Sequence, residues 1–185
     1  MKRLPRLGLV LALLFILSAW PGLVEAQGDK AARGKARVGR TAPWFKLKNL
    51  TGGRTWTQKN VQGTPTVLVV GRTQEAAPSC KTWMLALLEH QPVSARVLQV
   101  IVVKKAWYLP KGLILKKIRG FIPRRHHDKV LLEWYTVFSD VWGIPKVDDP
   151  FIYLLDAKGV VRHVYRGKYS KAPMKKLKAA LAQLK

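Results

Sequence analysis

Cysteine is nearly missing from this 185-residue chain, and acidic residues are scarce. A single thiol, Cys80, excludes an internal disulfide and therefore a self-contained dithiol exchange centre. Ten Asp and Glu stand against 34 Lys and Arg, a net charge of +24. Carboxylates adjoin only at Asp148-Asp149, in a turn, so an acid–base pair of carboxylates has no other place in the sequence. The four histidines fare no better as ligands. His126 and His127 are adjacent, and His90 and His163 have no metal-site spacing with them or with Cys80. The chain also lacks internal repeats, low-complexity tracts and a glycine-rich nucleotide loop. Neither a metal nor a cofactor is expected.

Long apolar runs are missing too, apart from the N-terminus. Lys2, Arg3 and Arg6 precede an apolar stretch, Leu7 to Ala19, and Val24-Glu25-Ala26 has cleavage-site spacing. Residues 1–26 read as a secretory signal peptide, the alternative being an uncleaved anchor. Cleavage leaves 159 residues, enough for one domain with its own core. Export places the product in a bacterial periplasm or outside the cell, where disulfides are permitted. Cys80 is then buried, reactive or paired with another molecule. The exported part keeps a large positive excess, which suits an anionic membrane surface or an acidic protein; nucleic acid is disfavoured for an exported chain.

What is present is organised around Thr64 to Gln91. Thr66 to Val70 is an unbroken apolar run ending at Gly71, the pattern of a strand buried on both faces. A polar loop, Arg72 to Ser79, leads to Cys80. Trp83, Met84, Leu87 and Leu88 then fall on one helical face, closed by Pro92. Val97 to Val103 is a second central strand, so the region predicts a βαβ unit with parallel pairing. A thiol exposed at the positive end of that helix would have a lowered pKa; a thiol buried there would be an ordinary small apolar residue.

Around this unit, residues 27–37 read as a flexible basic lead-in to a domain over 38–185. Phe45 and Leu47 alternate with Lys46 and Lys48 in a first strand, and Thr55-Trp56-Thr57 returns after Gly52-Gly53. Residues 104–129 read as a basic insertion carrying nine Lys and Arg with Asp128 as the sole acid, including a short cationic amphipathic helix near Leu113 to Arg119. Val130 to Val141 has helical period through Val130, Leu131, Trp134, Tyr135 and Phe138. Phe151 to Leu155 and Val160 to Tyr165 form a hairpin around Asp156-Ala157-Lys158-Gly159. A last helix over Ser170 to Leu184 turns Met174, Leu177, Leu181 and Leu184 inward, with Ser170 as its cap. The fold class is α/β: a central mixed β-sheet flanked by helices, with a basic insertion.

These residues resemble the thioredoxin-like superfamily, and within it the peroxiredoxin-like, thiol-specific antioxidant group. Gly39 to Leu47 resembles that group's first strand. Pro150 to Asp156 with Gly159-Val160-Val161 resembles its cis-proline strand, hairpin and final strand. The resemblance spans Val38 to Leu184. Ala77-Pro78-Ser79-Cys80 aligns in two ways. On the peroxiredoxin loop, Cys80 matches the peroxidatic cysteine and Ala77 replaces a threonine. On the thioredoxin Cys-x-x-Cys, Cys80 matches the second cysteine and Ala77 replaces the attacking one. The resemblance makes Pro150 a cis-proline beside the thiol.

Candidate site residues are therefore Cys80, Arg72 as the nearest cation, Thr73 as a hydrogen-bond donor, and Pro150, with Arg124 or Arg125 as other cations. The expected function is that of a periplasmic single-cysteine thiol-redox or peroxidase-like protein, turned over by an external thiol or a thioredoxin-like reductant. The alternative is a non-catalytic thioredoxin-like binding protein that recognises an anionic membrane surface or acidic partner through residues 104–129. Those residues could equally form a homodimer contact or cover a sheet edge.

Overall fold

A computed structural model describes residues 35–89, 95–103 and 110–184. The expected signal peptide, most of the expected lead-in, and the first part of the basic segment with Trp107 and Tyr108 lie outside the described residues.

Among the described residues the chain builds one seven-stranded mixed sheet. Its strands are β1 Lys46–Asn49, β2 Thr55–Thr57, β3 Thr66–Gly71, β4 Arg96–Val102, β5 Val130–Glu133, β6 Phe151–Leu155 and β7 Val161–Arg166, in the spatial order β2-β1-β5-β4-β3-β6-β7. The helices are α1 Ala77–Glu89, α2 Lys111–Phe121, α3 Val137–Val141 and α4 Lys171–Ala182. Strand β3 is central. It runs parallel to β4 and antiparallel to β6, with Val70 opposite both Val100 and Phe151. Val67 to Val70 are fully buried. Val67 and Val69 face a core layer with α1, α4 and the inner side of α2. Leu68 and Val70 face a second layer with Phe45, Trp56, Phe138 and Trp142. Burying each such side chain stabilises the fold by roughly 1.5–3 kcal/mol, so the unalternating apolar run dictates a strand covered on both faces.

The β3-α1-β4 unit and the β6-β7 hairpin form as the sequence predicts. In the hairpin turn, Asp156 Oδ1 accepts from the backbone N–H groups of Lys158 and Val160, each at 2.9 Å, and its other oxygen pairs with Arg162. Two expectations need correction. Val130–Glu133 is a strand, not the start of a helix; it pairs parallel with β4 and antiparallel with β1, and all four residues are buried. The helix that follows is only Val137–Val141. The basic segment connects β4 to β5, which makes a second parallel unit. Ser170 stands at the start of α4, but its side chain makes no capping hydrogen bond.

Candidate functional site

Strand β3 and helix α1 bring the predicted site residues to one end of the sheet, beyond the carboxyl end of β3. Helix α1 starts earlier than the sequence suggests. Ala77 is its first residue, so Cys80 sits within the first turn, not on a loop before it. The Cys80 amide already donates to Ala76 O at 2.9 Å. Thr73 prepares this start by accepting from the Ala76 N–H at 3.2 Å. Its hydroxyl therefore serves the turn.

The sulfur points into the core. Cys80 is 1% exposed and packs with Trp83, Met84, Leu87 and Ala76. Burial pushes its thiol up from 9.0 to about 12, outweighing a backbone hydrogen bond that favours the thiolate. Of the two readings open in the sequence, the buried one describes this thiol: position near a helix start does not lower a pKa when the sulfur is turned away from water. Gly71 provides the space. A side-chain carbon built on Gly71 would stand 2.6 Å from Cys80 Sγ and 3.4 Å from Ala76 Cβ.

Arg72 does not face the sulfur as a free cation. Its guanidinium donates to Ile144 O and pairs with Asp140 at 2.5 Å, which ties the end of β3 to α3 and the segment after it. Arg124 and Arg125 lie in a short 3-10 segment before β5. Pro150 is buried and precedes β6, next to the Val70–Phe151 pair and hence across from Gly71. No peptide bond among the described residues is cis, which corrects the cis form implied for Pro150. Pro150 O accepts from Gly167 N at 3.0 Å, and Gly167 O accepts from Trp83 Nε1 at 3.0 Å. Trp83 is completely buried and packs against Tyr165 and Tyr169, with ring centroids 5.6 and 5.2 Å apart. Helix α1, the end of β7 and Pro150 are thereby joined.

Two partners went unrecognised in the sequence. Asp140 holds Arg72. Glu133, 2% exposed at the end of β5, accepts from Ser139 N at 3.0 Å and from Ser139 Oγ at 2.6 Å. The available signal was the rarity of acids: in so basic a chain an acid has many cations to meet. Asp140, Asp149 and Asp156 all pair with arginines. No group of three or more metal-binding side chains gathers among the described residues, and no helix among them is long and apolar enough to cross a membrane.

Ala77, half-buried, opens α1, and Cys80, buried, stands three positions later on the same helix.

No protein-family model matches the sequence, and no match was found among curated proteins. Solved structures do resemble the fold. An exposed lipoprotein thioredoxin from Streptococcus pneumoniae superposes with a TM-score of 0.57 at 15% identity, over 74% of this chain and 98% of that one. A thiol:disulfide interchange protein of the thioredoxin family from Chlorobium tepidum gives 0.55 at 13% identity, over 82% and 99%. BsSco, of the Sco family of cytochrome c oxidase assembly proteins, gives 0.54 at 13% identity, over 76% and 93%. A mixed sheet with helices on both faces, the strand–helix–strand unit that holds Cys80, and these likenesses together identify a thioredoxin-like fold.

Proposed function

We propose that this chain is an extracytoplasmic thioredoxin-like protein that works by binding, with its disulfide-exchange site left incomplete. One observation carries this reading: Cys80 is 1% exposed inside the first turn of α1, its thiol raised to about 12. A thiol attacks as thiolate, and this one is protonated and shielded at neutral pH. Ala77, at the position that meets solvent, has no nucleophile to offer.

The binding surface is the outer side of α2, and its partner is an anionic membrane. The helix has no acid and no fully buried residue. Ile114, Leu115 and Ile118 pack inward. Leu113 and Phe121 are exposed to 56% and 43%, and Lys116 and Lys117 are exposed between them. Cations flanking exposed apolar residues match a lipid interface, where lysines meet headgroups and the apolar side chains enter the acyl boundary. The test is co-sedimentation with vesicles of phosphatidylglycerol and phosphatidylcholine. Binding should need the anionic lipid, weaken with salt, and fall at least tenfold in Lys116→Gln/Lys117→Gln. Equal binding to pure phosphatidylcholine, or no binding, would reject this surface.

A second reading keeps Cys80 as a single-thiol redox or peroxidase-like centre. It is supported by the sulfur's place beyond the end of β3 near Pro150, and by likeness to thiol:disulfide interchange proteins. The residues at 72–76 would have to open. The thiolate would then attack a peroxide oxygen, releasing hydroxide that takes up a proton to become water. An external thiol would condense with the resulting sulfenic acid, releasing a second water, and another thiol would restore Cys80. Sulfenic acid at Cys80 in the folded protein after peroxide challenge would select this reading over the first.

A further inference from the structure

On the opposite face of the sheet from α2, two arginines share one tryptophan. Arg54, at the end of the β1–β2 turn, places its guanidinium carbon 4.1 Å from the Trp56 ring centroid. Arg96, the first residue of β4, places its own 5.0 Å from the same centroid. Trp56 is 5% exposed and belongs to the core layer with Leu47 and Phe45. It is therefore a fixed platform. Arg96 is half-buried, and its Nη1 donates to Asn60 O at 2.8 Å, so it is held rather than free to swing into solvent.

Among the described residues, no carboxylate forms an ion pair with either positive charge. The three ion pairs among the described residues all lie elsewhere, at Asp140, Asp149 and Asp156. Burial and the nearby Arg54 both disfavour the charged form of Arg96. Like charges brought together on one ring repel each other, and cation–π attraction offsets this only in part. An oxyanion placed between the guanidiniums would relieve the repulsion and use their free N–H groups.

We propose that Arg54 and Arg96, braced on Trp56, form a clamp for a tetrahedral oxyanion of the phosphate class. A guanidinium fork matches two oxygens of such a group. Phosphate has enough oxygens to engage two forks at once, whereas one guanidinium already satisfies a carboxylate. The group could come as free phosphate or as a phosphomonoester, and both present the same terminal oxygens.

The experiment is titration of the folded protein with inorganic phosphate, methyl phosphate and acetate, followed by NMR of the arginine Nε–H groups and the Trp56 indole N–H and by thermal melting. Phosphate should shift the Arg54, Arg96 and Trp56 signals together in a saturable manner, and acetate at least tenfold more weakly. Saturation by methyl phosphate at similar concentrations would identify a monoester site; saturation by inorganic phosphate alone would identify a free-ion site. Arg54→Gln and Arg96→Gln should each lower the affinity at least tenfold, while Lys116→Gln/Lys117→Gln leaves it unchanged. Without phosphate, Arg54→Gln should melt at the parent temperature or above it, because it removes repulsion and no hydrogen bond. Shifts spread evenly over the basic surface, or undiminished affinity in the folded Arg54→Gln protein, would overturn the proposal.

Discussion

Gly71 and Cys80 divide one space between them, since a side-chain carbon on Gly71 would lie 2.6 Å from the Cys80 sulfur. Gly71→Ala forces the sulfur or the strand to move. Overpacking of this kind costs about 1–3 kcal/mol, measurable by urea denaturation. Cys80→Ala removes the sulfur and leaves a Cβ 3.9 Å from the added carbon, an ordinary contact. The double variant should therefore lose less stability than the sum of the single variants. Strict additivity would mean that the glycine is needed for another reason.

The buried thiol gives a pH signature of defined sign. Its pKa is higher in the folded protein, about 12, than the ordinary 9.0. The folded state thus holds its proton more tightly. The contribution is complete below pH 9 and is lost as pH climbs from 9 toward 12. Comparison of the parent with Cys80→Ala isolates it: the parent should lose more stability across that window. Iodoacetamide should label Cys80 slowly at pH 8 in the folded state and rapidly in urea. Rapid labelling of the folded protein would contradict the closed site.

Restoring the missing thiol tests the alignment. Ala77→Cys places a half-buried sulfur at the start of α1, three residues before Cys80. Mild oxidation should form an intramolecular disulfide, seen as loss of two hydrogens by mass spectrometry, and the reduced variant should reduce insulin faster than the parent. Two free thiols after oxidation would mean that the backbone does not have Cys-x-x-Cys geometry.

Glu133 and Ser139 supply a fourth test. Glu133→Ala leaves the buried Ser139 N–H without its acceptor and should cost about 2–3 kcal/mol in chemical denaturation. Glu133→Gln keeps an oxygen for that N–H, and its amide can donate to the rotating hydroxyl, so it should retain most of the stability. Equal losses would show that the charge, rather than the hydrogen bonds, matters.

Much of this architecture was legible because β3, β4 and β6 are apolar runs that only a strand covered on both faces explains. The same feature hid β5. Val130 and Leu131 fall on a helical stripe with Trp134 and Phe138, and a short buried run has no period of its own. Glu133 deepened the ambiguity, since an acid in a buried strand makes sense only once Ser139 is seen beside it. With β5 unrecognised, the cations around α2 stood out more than its role as a crossover. At the site, the sequence located Cys80 but not its direction. Burial depends on where α1 begins, and that depends on a Thr73 hydroxyl accepting from Ala76 N–H three residues later. Arg72 was the correct neighbour of the strand end, yet its partners lie about 70 residues further along the chain.

Those partners give the rim of the site a mechanical character. Arg72 holds both α3, through Asp140, and the segment beyond it, through Ile144 O, while Thr73 reaches Val147 O at 3.5 Å. The stretch leading to Pro150 is thus guyed to the strand that carries Gly71. A molecule docking at this end would meet a braced lip that tilts with β3 as one piece. Loosening one stay, as in Arg72→Ala, would free the approach to Pro150 without touching the thiol itself.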